Sequence, residues 1–359
     1  MFKSLRVSGF RCLRNLRVDG LTRVNLFVGT NNAGKTSLLE AVEVLCLPGV
    51  AGIVQGLRRR EERIYVGGEA APRILFDVSH VFMNHELHPG ASFTIEGDGP
   101  RPALVRCEIE SFGSQANLFE EGEEEEEEGA QSSMALRISS RELPSDQIVQ
   151  LSADGGLLDA ALRRISLKYA EDIPPIHFLT TEPARPSQLG QLWDAVVLTP
   201  EEQSVGDAMR IIEPKIERIA FLGTDRLARS VLIKLANEER RLPLGSVGDG
   251  LKRLLALALH LIPAKGGVLL VDEIDTGLHH TVMTDMWRLV IETAQRLDIQ
   301  VFATTHSLDC VRALAWVRDS LPHLGSEVAL HRLEKNMERS VTYTLDEVAL
   351  AARHHVEVR

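Results

Sequence analysis

An α/β fold built on a parallel central sheet is predicted by three stretches of the chain. Val24 to Val28 is apolar but for Asn25, and passes through a glycine loop into Leu38 to Leu45, whose apolar residues have helical spacing. Val268 to Val271 is a second apolar run and ends in Asp272-Glu273; Val301 to Ala303 is a third and ends in Thr304-Thr305-His306-Ser307. Runs without polar alternation read as strands buried on both faces, and parallel strands carry ligand sites at their carboxyl ends.

The loop of the first stretch, Gly29 to Ser37, fits GxxxxGK[ST] at every fixed position and lies between a strand and a helix, as that motif requires. A triphosphate needs backbone N–H groups at close range, which side chains at Gly29 and Gly34 would obstruct, and the helix start favours anions. Gly29, Asn31, Asn32, Ala33 and Gly34 are therefore expected around the phosphates, together with Ser37. Lys35 is expected on the β and γ phosphates of ATP, and the Thr36 hydroxyl on Mg²⁺.

The second stretch delivers two carboxylates to the same sheet edge. Asp272 is expected to hold Mg²⁺, and Glu273 to act as general base on the attacking water. His306, ending the third stretch, is expected to reach the γ phosphate or that water. A fourth element, Gly245 to Arg253, is a glycine-rich turn before the apolar helix Leu254 to Ile262. Its Ser246 hydroxyl and the N–H groups near Gly248 suit a γ phosphate.

Length and composition bound the rest. The 359 residues with 44% hydrophobic content allow two domains, or one with an insertion, and an ample core. The net charge of −11 owes eight negatives to Glu120, Glu121 and Glu123 to Glu128, leaving a body near neutrality. Neither figure suggests a whole-surface basic coat for nucleic acid, while a local basic stripe is compatible with both. Cys12, Cys46, Cys107 and Cys310 have neither zinc nor CxxC spacing and read as reduced thiols. With no apolar leader after Met1 and no apolar run of membrane-spanning length, a cytoplasmic location without membrane partners is expected.

In chain order, Phe2 to Phe10 and Leu16 to Val18 read as strands, then a helix carries Arg58-Arg59-Arg60. These arginines read as a solvated face cancelled by Glu61 and Glu62. Arg73 to Phe82, Ser92 to Glu96, Leu104 to Glu110 and Met134 to Ile138 are short and β-like, suggesting an antiparallel lobe. The glutamate run between the last two, 120–128, reads as a solvated loop. From Leu151 the pattern turns helical, Ile176 to Thr180 reads as a strand, and Thr199-Pro200-Glu201-Glu202 opens a helix. Three segments are expected: 1–140 and 223–359 as two parts of a nucleotide-binding head, and 141–222 as an inserted helical arm.

The order of phosphate loop, Ser-x-Gly turn with its helix, Asp-Glu strand and strand-ending histidine resembles that of ABC-type ATPases. It is most similar to the stand-alone OLD-like (overcoming lysogeny defect) ATPases, relatives of RecF and the SMC proteins, through Gly29 to Thr36, Trp193-Asp194 to Phe221 and Asp272 to His280. The resemblance implies an ABC-type P-loop ATPase head with a mixed or parallel central sheet. It also implies a homodimer or higher homo-oligomer, in which Ser246-Val247-Gly248 of one subunit closes on ATP held by Lys35 and Thr36 of another. Val247, Asp249 and His279 depart from the transporter-type pattern, and Gln55, His80 and Asn84 all fit the Q-loop position.

Two roles are implied: a sensor or scaffold for a separate effector such as a nuclease in anti-phage defence, or a repair ATPase that clamps DNA, with nucleic acid as partner. The absence of sustained heptads argues against the long coiled-coil branches. About fifty residues follow His306, too few for a fused nuclease domain, so a nuclease is expected on another chain. Asp346 and Glu347 there read as helix N-terminal acids.

Overall fold

The computed structural model describes residues 1–66, 73–112, 133–152, 154–158, 174–223, 230–320, 322–354 and 356–358. The glutamate run lies outside them, as do residues 159–173, where a helical pattern was expected.

The chain opens with an antiparallel pair, β1 (Ser4–Phe10) and β2 (Leu13–Asp19), before the buried β3 (Val24–Val28). Two helices follow, α1 (Lys35–Cys46) and α2 (Val50–Arg59). Then come β4 (Arg63–Val66), β5 (Arg73–Asp77), β6 (Ser92–Asp98), β7 (Ala103–Phe112), β8 (Ser133–Ser140), β9 (Gln147–Gln150) and β10 (Gly156–Leu158). Six of these strands form one antiparallel sheet, in the order β2-β1-β6-β7-β8-β9, and β10-β5-β4 form a small second one. The β-like stretch from Arg73 stops at Asp77, because the Asp77 carboxylate accepts from the Ser79 N–H at 2.9 Å and turns the chain into a 3-10 helix, Val78–Val81.

The rest of the chain builds the other half. It begins with β11 (Ile176–Leu179), α3 (Pro186–Asp194), α4 (Glu201–Arg210), and the sheet of β12 (Ile216–Leu222), β13 (Ser230–Leu235) and β14 (Arg241–Pro243). It continues with α5 (Asp249–Leu261), β15 (Val268–Val271), α6 (Met283–Arg296), β16 (Gln300–Thr304), α7 (Leu308–Ser320), β17 (Val328–Arg332), β18 (Val341–Thr344) and α8 (Leu345–Arg353). Segment 141–222 thus carries two helices in its described part and gives β11 to the central sheet.

That sheet has the order β11-β15-β16-β3-β17-β18, with β11 to β17 parallel and β18 antiparallel at the edge. Alternation along its strands divides the core in two. Val24, Leu26, Leu269, Val271, Val301 and Ala303 face the cluster containing α5, α6 and α7. Phe27, Leu270 and Phe302 face the cluster of α1, α2 and the antiparallel sheet. Burial on both faces is why these strands read as unbroken apolar runs.

Asn25, the polar exception, is fully buried and satisfied. Its amide donates to Thr22 O at 2.8 Å and Val301 O at 3.2 Å, and its oxygen accepts from the Thr22 N–H at 2.8 Å. At the far end, Thr344 caps α8 in a capping box with Glu347, so Glu347 is a helix N-terminal acid as expected.

Arg58 is exposed as expected, but Arg59 and Arg60 do not simply form a solvated face. Arg59 pairs with Glu43 of α1 and lies 3.7 Å over the Phe178 ring, while Arg60 Nε reaches Glu40 at 2.7 Å. Arg11 Nε also meets Glu40 at 2.7 Å, and its terminal nitrogens meet Glu62. Glu40 is 1% exposed, and a carboxylate so buried requires cationic partners. The arginines are drawn inward by Glu40 and Glu43, which helical periodicity places on the facing side of α1.

Candidate nucleotide-hydrolysis site

The carboxyl ends of β3, β16 and β15 lie side by side, so one sheet edge carries the glycine loop, the Thr304 to His306 turn and the Asp272-Glu273 pair. The glycines of the loop have specific work. Gly29 has φ +144°, and a Cβ there would lie 2.2 Å from Leu333 O; Gly34 has φ +92°, and a Cβ would meet Leu13 at 2.6 Å. Both are therefore required by the packing behind the loop. Asn32 adopts φ +62° without being glycine, a conformation asparagine tolerates.

Lys35 Nζ donates to Gly29 O at 2.7 Å and Thr30 O at 3.0 Å, arching back over the loop. Burial pulls its pKa down, opposed by the nearby Glu273 and Asp272 carboxylates. The Thr36 hydroxyl lies 3.2 and 3.1 Å from the two Asp272 oxygens. A hydroxyl and a carboxylate this close, on the first turn of α1 and the end of β15, form the hard-oxygen set that Mg²⁺ prefers.

Around Glu273 the contacts are dense. Thr304 Oγ1 donates to Asp272 Oδ1 at 2.7 Å and accepts from the Glu273 N–H at 2.8 Å. His306 Nδ1 lies 3.1 Å from Glu273 Oε1. Thr305 Oγ1 donates to Asp275 Oδ1 at 2.6 Å, which ties the next turn to the same edge. Glu273 itself has φ +44°, a left-handed conformation that a glutamate holds only when its surroundings enforce it.

A cleft of about 710 Å³ opens over this edge, lined by Asn31, Asn32, Gly34, Lys35, Thr36 and Ser37, with Asp272 and Glu273 opposite. Its outer wall comes from residues that sequence reasoning gave no role there: Arg11, Cys12, Arg60, Glu62 and His85. Of the three Q-loop positions left open, His80 lines the cleft, with its Nδ1 3.0 Å from that of His85. Gln55 and Asn84 are exposed and are not among its described lining residues.

Ser246 and Gly248 stand apart. Ser246 ends the 3-10 turn Leu244–Ser246, Gly248 caps α5 with φ +89°, both are exposed, and neither lines the cleft of its own chain. This turn packs instead on the segment after Asp275. A Cβ at Gly250 would lie 3.1 Å from Gly277 O, and one at Gly277 would lie 3.6 Å from the Asp249 side chain.

Fold and site geometry together define a P-loop ATPase head. Residues 138–310 match the family model described as "AAA domain, putative AbiEii toxin, Type IV TA system", and residues 1–49 match the "AAA ATPase domain" model. An ATP/GTP phosphatase of Helicobacter pylori is 21% identical over 335 residues, covering 88% of this chain and 87% of that protein. An OLD nuclease of Thermus scotoductus is 21% identical over 337 residues, covering 86% of this chain, which spans only 59% of the nuclease's length. The Smc head domain of Pyrococcus furiosus, solved with the C-terminal domain of ScpA, superposes with a TM-score of 0.51 at 11% identity over 99% of both chains. The chain is thus similar over most of its length to an ATP/GTP phosphatase and to the matched part of an OLD nuclease, and it shares the fold of the Smc ATPase head. Among the described residues, no helix is long and apolar enough to cross a membrane.

Proposed function

We propose that the chain hydrolyses ATP at this edge, with Lys35 and the loop N–H groups binding the β and γ phosphates and Glu273 activating water. The observation that carries this reading is the Asp272-Glu273 turn: one carboxylate faces the Thr36 hydroxyl and the other faces His306. Thr36 and Asp272 would hold Mg²⁺, which when bound neutralises charge on the phosphate oxygens. Glu273 takes the proton of the attacking water, while His306 bonds to its carboxylate and orients it. The proposed closed state is a two-fold dimer in which Ser246 and Gly248 of one subunit complete the γ-phosphate shell of the other. Their exposure, away from the cleft of their own chain, supports that arrangement.

The reading separates two residues experimentally. Lys35→Ala loses tight ATP binding, whereas Glu273→Gln keeps it and stops turnover, because one acts in ground-state binding and the other in the chemical step. Nucleotide titration and phosphate release measure both. Parent-rate hydrolysis by Glu273→Gln would remove Glu273 from this role.

We further propose that ATP-driven closure controls a separate effector, such as a nuclease in anti-phage defence. Likeness to an OLD nuclease over 59% of its length supports a nuclease effector. Where a nuclease gene lies beside its own, the parent chain reconstituted with that nuclease should license DNA cleavage in the presence of ATP, and Lys35→Ala should not. Cleavage indifferent to both ATP and Lys35 refutes this coupling.

A further inference from the structure

Arg253 lies one turn into α5, facing the core rather than solvent, and is 7% exposed. One terminal nitrogen donates to Thr180 O, just beyond β11. The other donates to Asp272 O at 2.8 Å and to Glu273 O at 2.8 Å. Those two carbonyls belong to the peptide planes before and after Glu273, so a single nitrogen pins both planes whose relative rotation sets the Glu273 backbone. That backbone is the left-handed one at φ +44°. This outlier at a site of chemistry is held by a buried cation whose hydrogen bonds among the described residues all go to main-chain carbonyls, which points to a functional reason for it.

We propose that Arg253 is a positioning residue for hydrolysis, holding the Asp272-Glu273 turn so that the Glu273 carboxylate is aimed at the water. This rests on the role given above to Glu273. Arg253 also sits on the helix whose N-cap is Gly248, so it joins the turn offered to a partner's nucleotide to the base of its own site. Burial lowers its pKa to about 10, which leaves it cationic at neutral pH, beside Asp272, Asp275 and Glu273. A lysine carries one nitrogen where three carbonyls are met by a planar fork, so it replaces this function only in part.

The test compares Arg253→Met and Arg253→Lys in the full chain, measuring ATP affinity with Mg²⁺, kcat and thermal stability. The expected result is ATP affinity within about threefold of the parent in both. Turnover falls about 100-fold in Arg253→Met, the scale of a misplaced catalytic group, with Arg253→Lys intermediate. Measured in single-turnover assays against the residual rate of Glu273→Gln, either substitution added to it causes no further loss, because Arg253 acts through Glu273. Turnover within about threefold of the parent overturns the proposal. So does a parallel fall of turnover, affinity and melting temperature, or an undiminished further loss in the double variant. If Arg253→Met does not fold, Arg253→Lys decides by the same comparisons. Parent-rate turnover by Glu273→Gln defeats the reading of Glu273 and this proposal with it; an inactive Glu273→Gln beside an unaffected Arg253→Lys defeats this proposal alone.

Discussion

Thr304 joins the two acids of the site with one hydroxyl, donating to Asp272 and accepting from the Glu273 N–H. It is fully buried, while Asp272 and Glu273 are half-buried at the cleft, so the bonds through its hydroxyl are the protected ones. Thr304→Val keeps the shape and removes both bonds. We expect a stability loss of about 2 kcal/mol in urea unfolding, turnover reduced about tenfold or more, and a higher Mg²⁺ requirement in phosphate release. An unchanged Mg²⁺ titration would show that Asp272 needs no such support. Thr304 shows where legibility ends at this scale. Lys35, Thr36, Asp272 and Glu273 stand out because motif spacing identifies them, whereas Thr304 ends an apolar strand as many threonines do. Arg253 left one trace, a charge four residues before the buried Leu257 on the same stripe of α5.

At the scale of elements, β3 and β17 pair in parallel through a buried polar contact: His331 Nε2 lies 3.3 Å from Asn25 Oδ1, and His331 Nδ1 lies 3.1 Å from Thr342 Oγ1. Burial pushes the His331 pKa down to about 3, and burial in α5 pushes that of His260 down to about 4. Below about pH 6.5 the unfolded chain takes up protons that these folded histidines refuse. Stability should therefore be intact above that pH and fall as pH drops toward 4, by about 1.4 kcal/mol per pH unit for each group. Urea unfolding between pH 7 and 4.5 measures the slope, and His331→Gln should remove roughly half of the part due to these two. An unaltered slope would mean that His331 is protonated in the fold. β3, β15 and β16 were legible because both their faces are apolar, and the start of α8 because of its N-terminal acids. The end of β5 and the inward turn of Arg59 and Arg60 were not, since one depends on a side-chain bond of Asp77 and the other on Glu40 and Glu43 across a helix pair.

The whole molecule stacks an antiparallel sheet, α1, the central sheet and α5 to α7 around two cores, and leaves Ser246 and Gly248 exposed outside the described lining of the cleft. In the proposed closed state a single chain would offer each half of a γ-phosphate shell to a different nucleotide. Two-fold pairing would unite the halves, and ATP would favour the closed pair by its differential affinity for it. Complementation tests this arrangement directly. Lys35→Ala and Ser246→Arg chains should each be inactive alone, the first for want of phosphate binding and the second because a long cation at the turn blocks closure. Their mixed dimer contains one composite site in which an intact Lys35 meets an intact Ser246 turn, so part of the ATPase activity should return on mixing. Native mass spectrometry establishes that mixed dimers form. Mixed dimers without activity would mean either that both sites must fire together or that the arrangement in trans is wrong, and an ATP-bound structure with Ser246 on the nucleotide of its own subunit would reject pairing in trans.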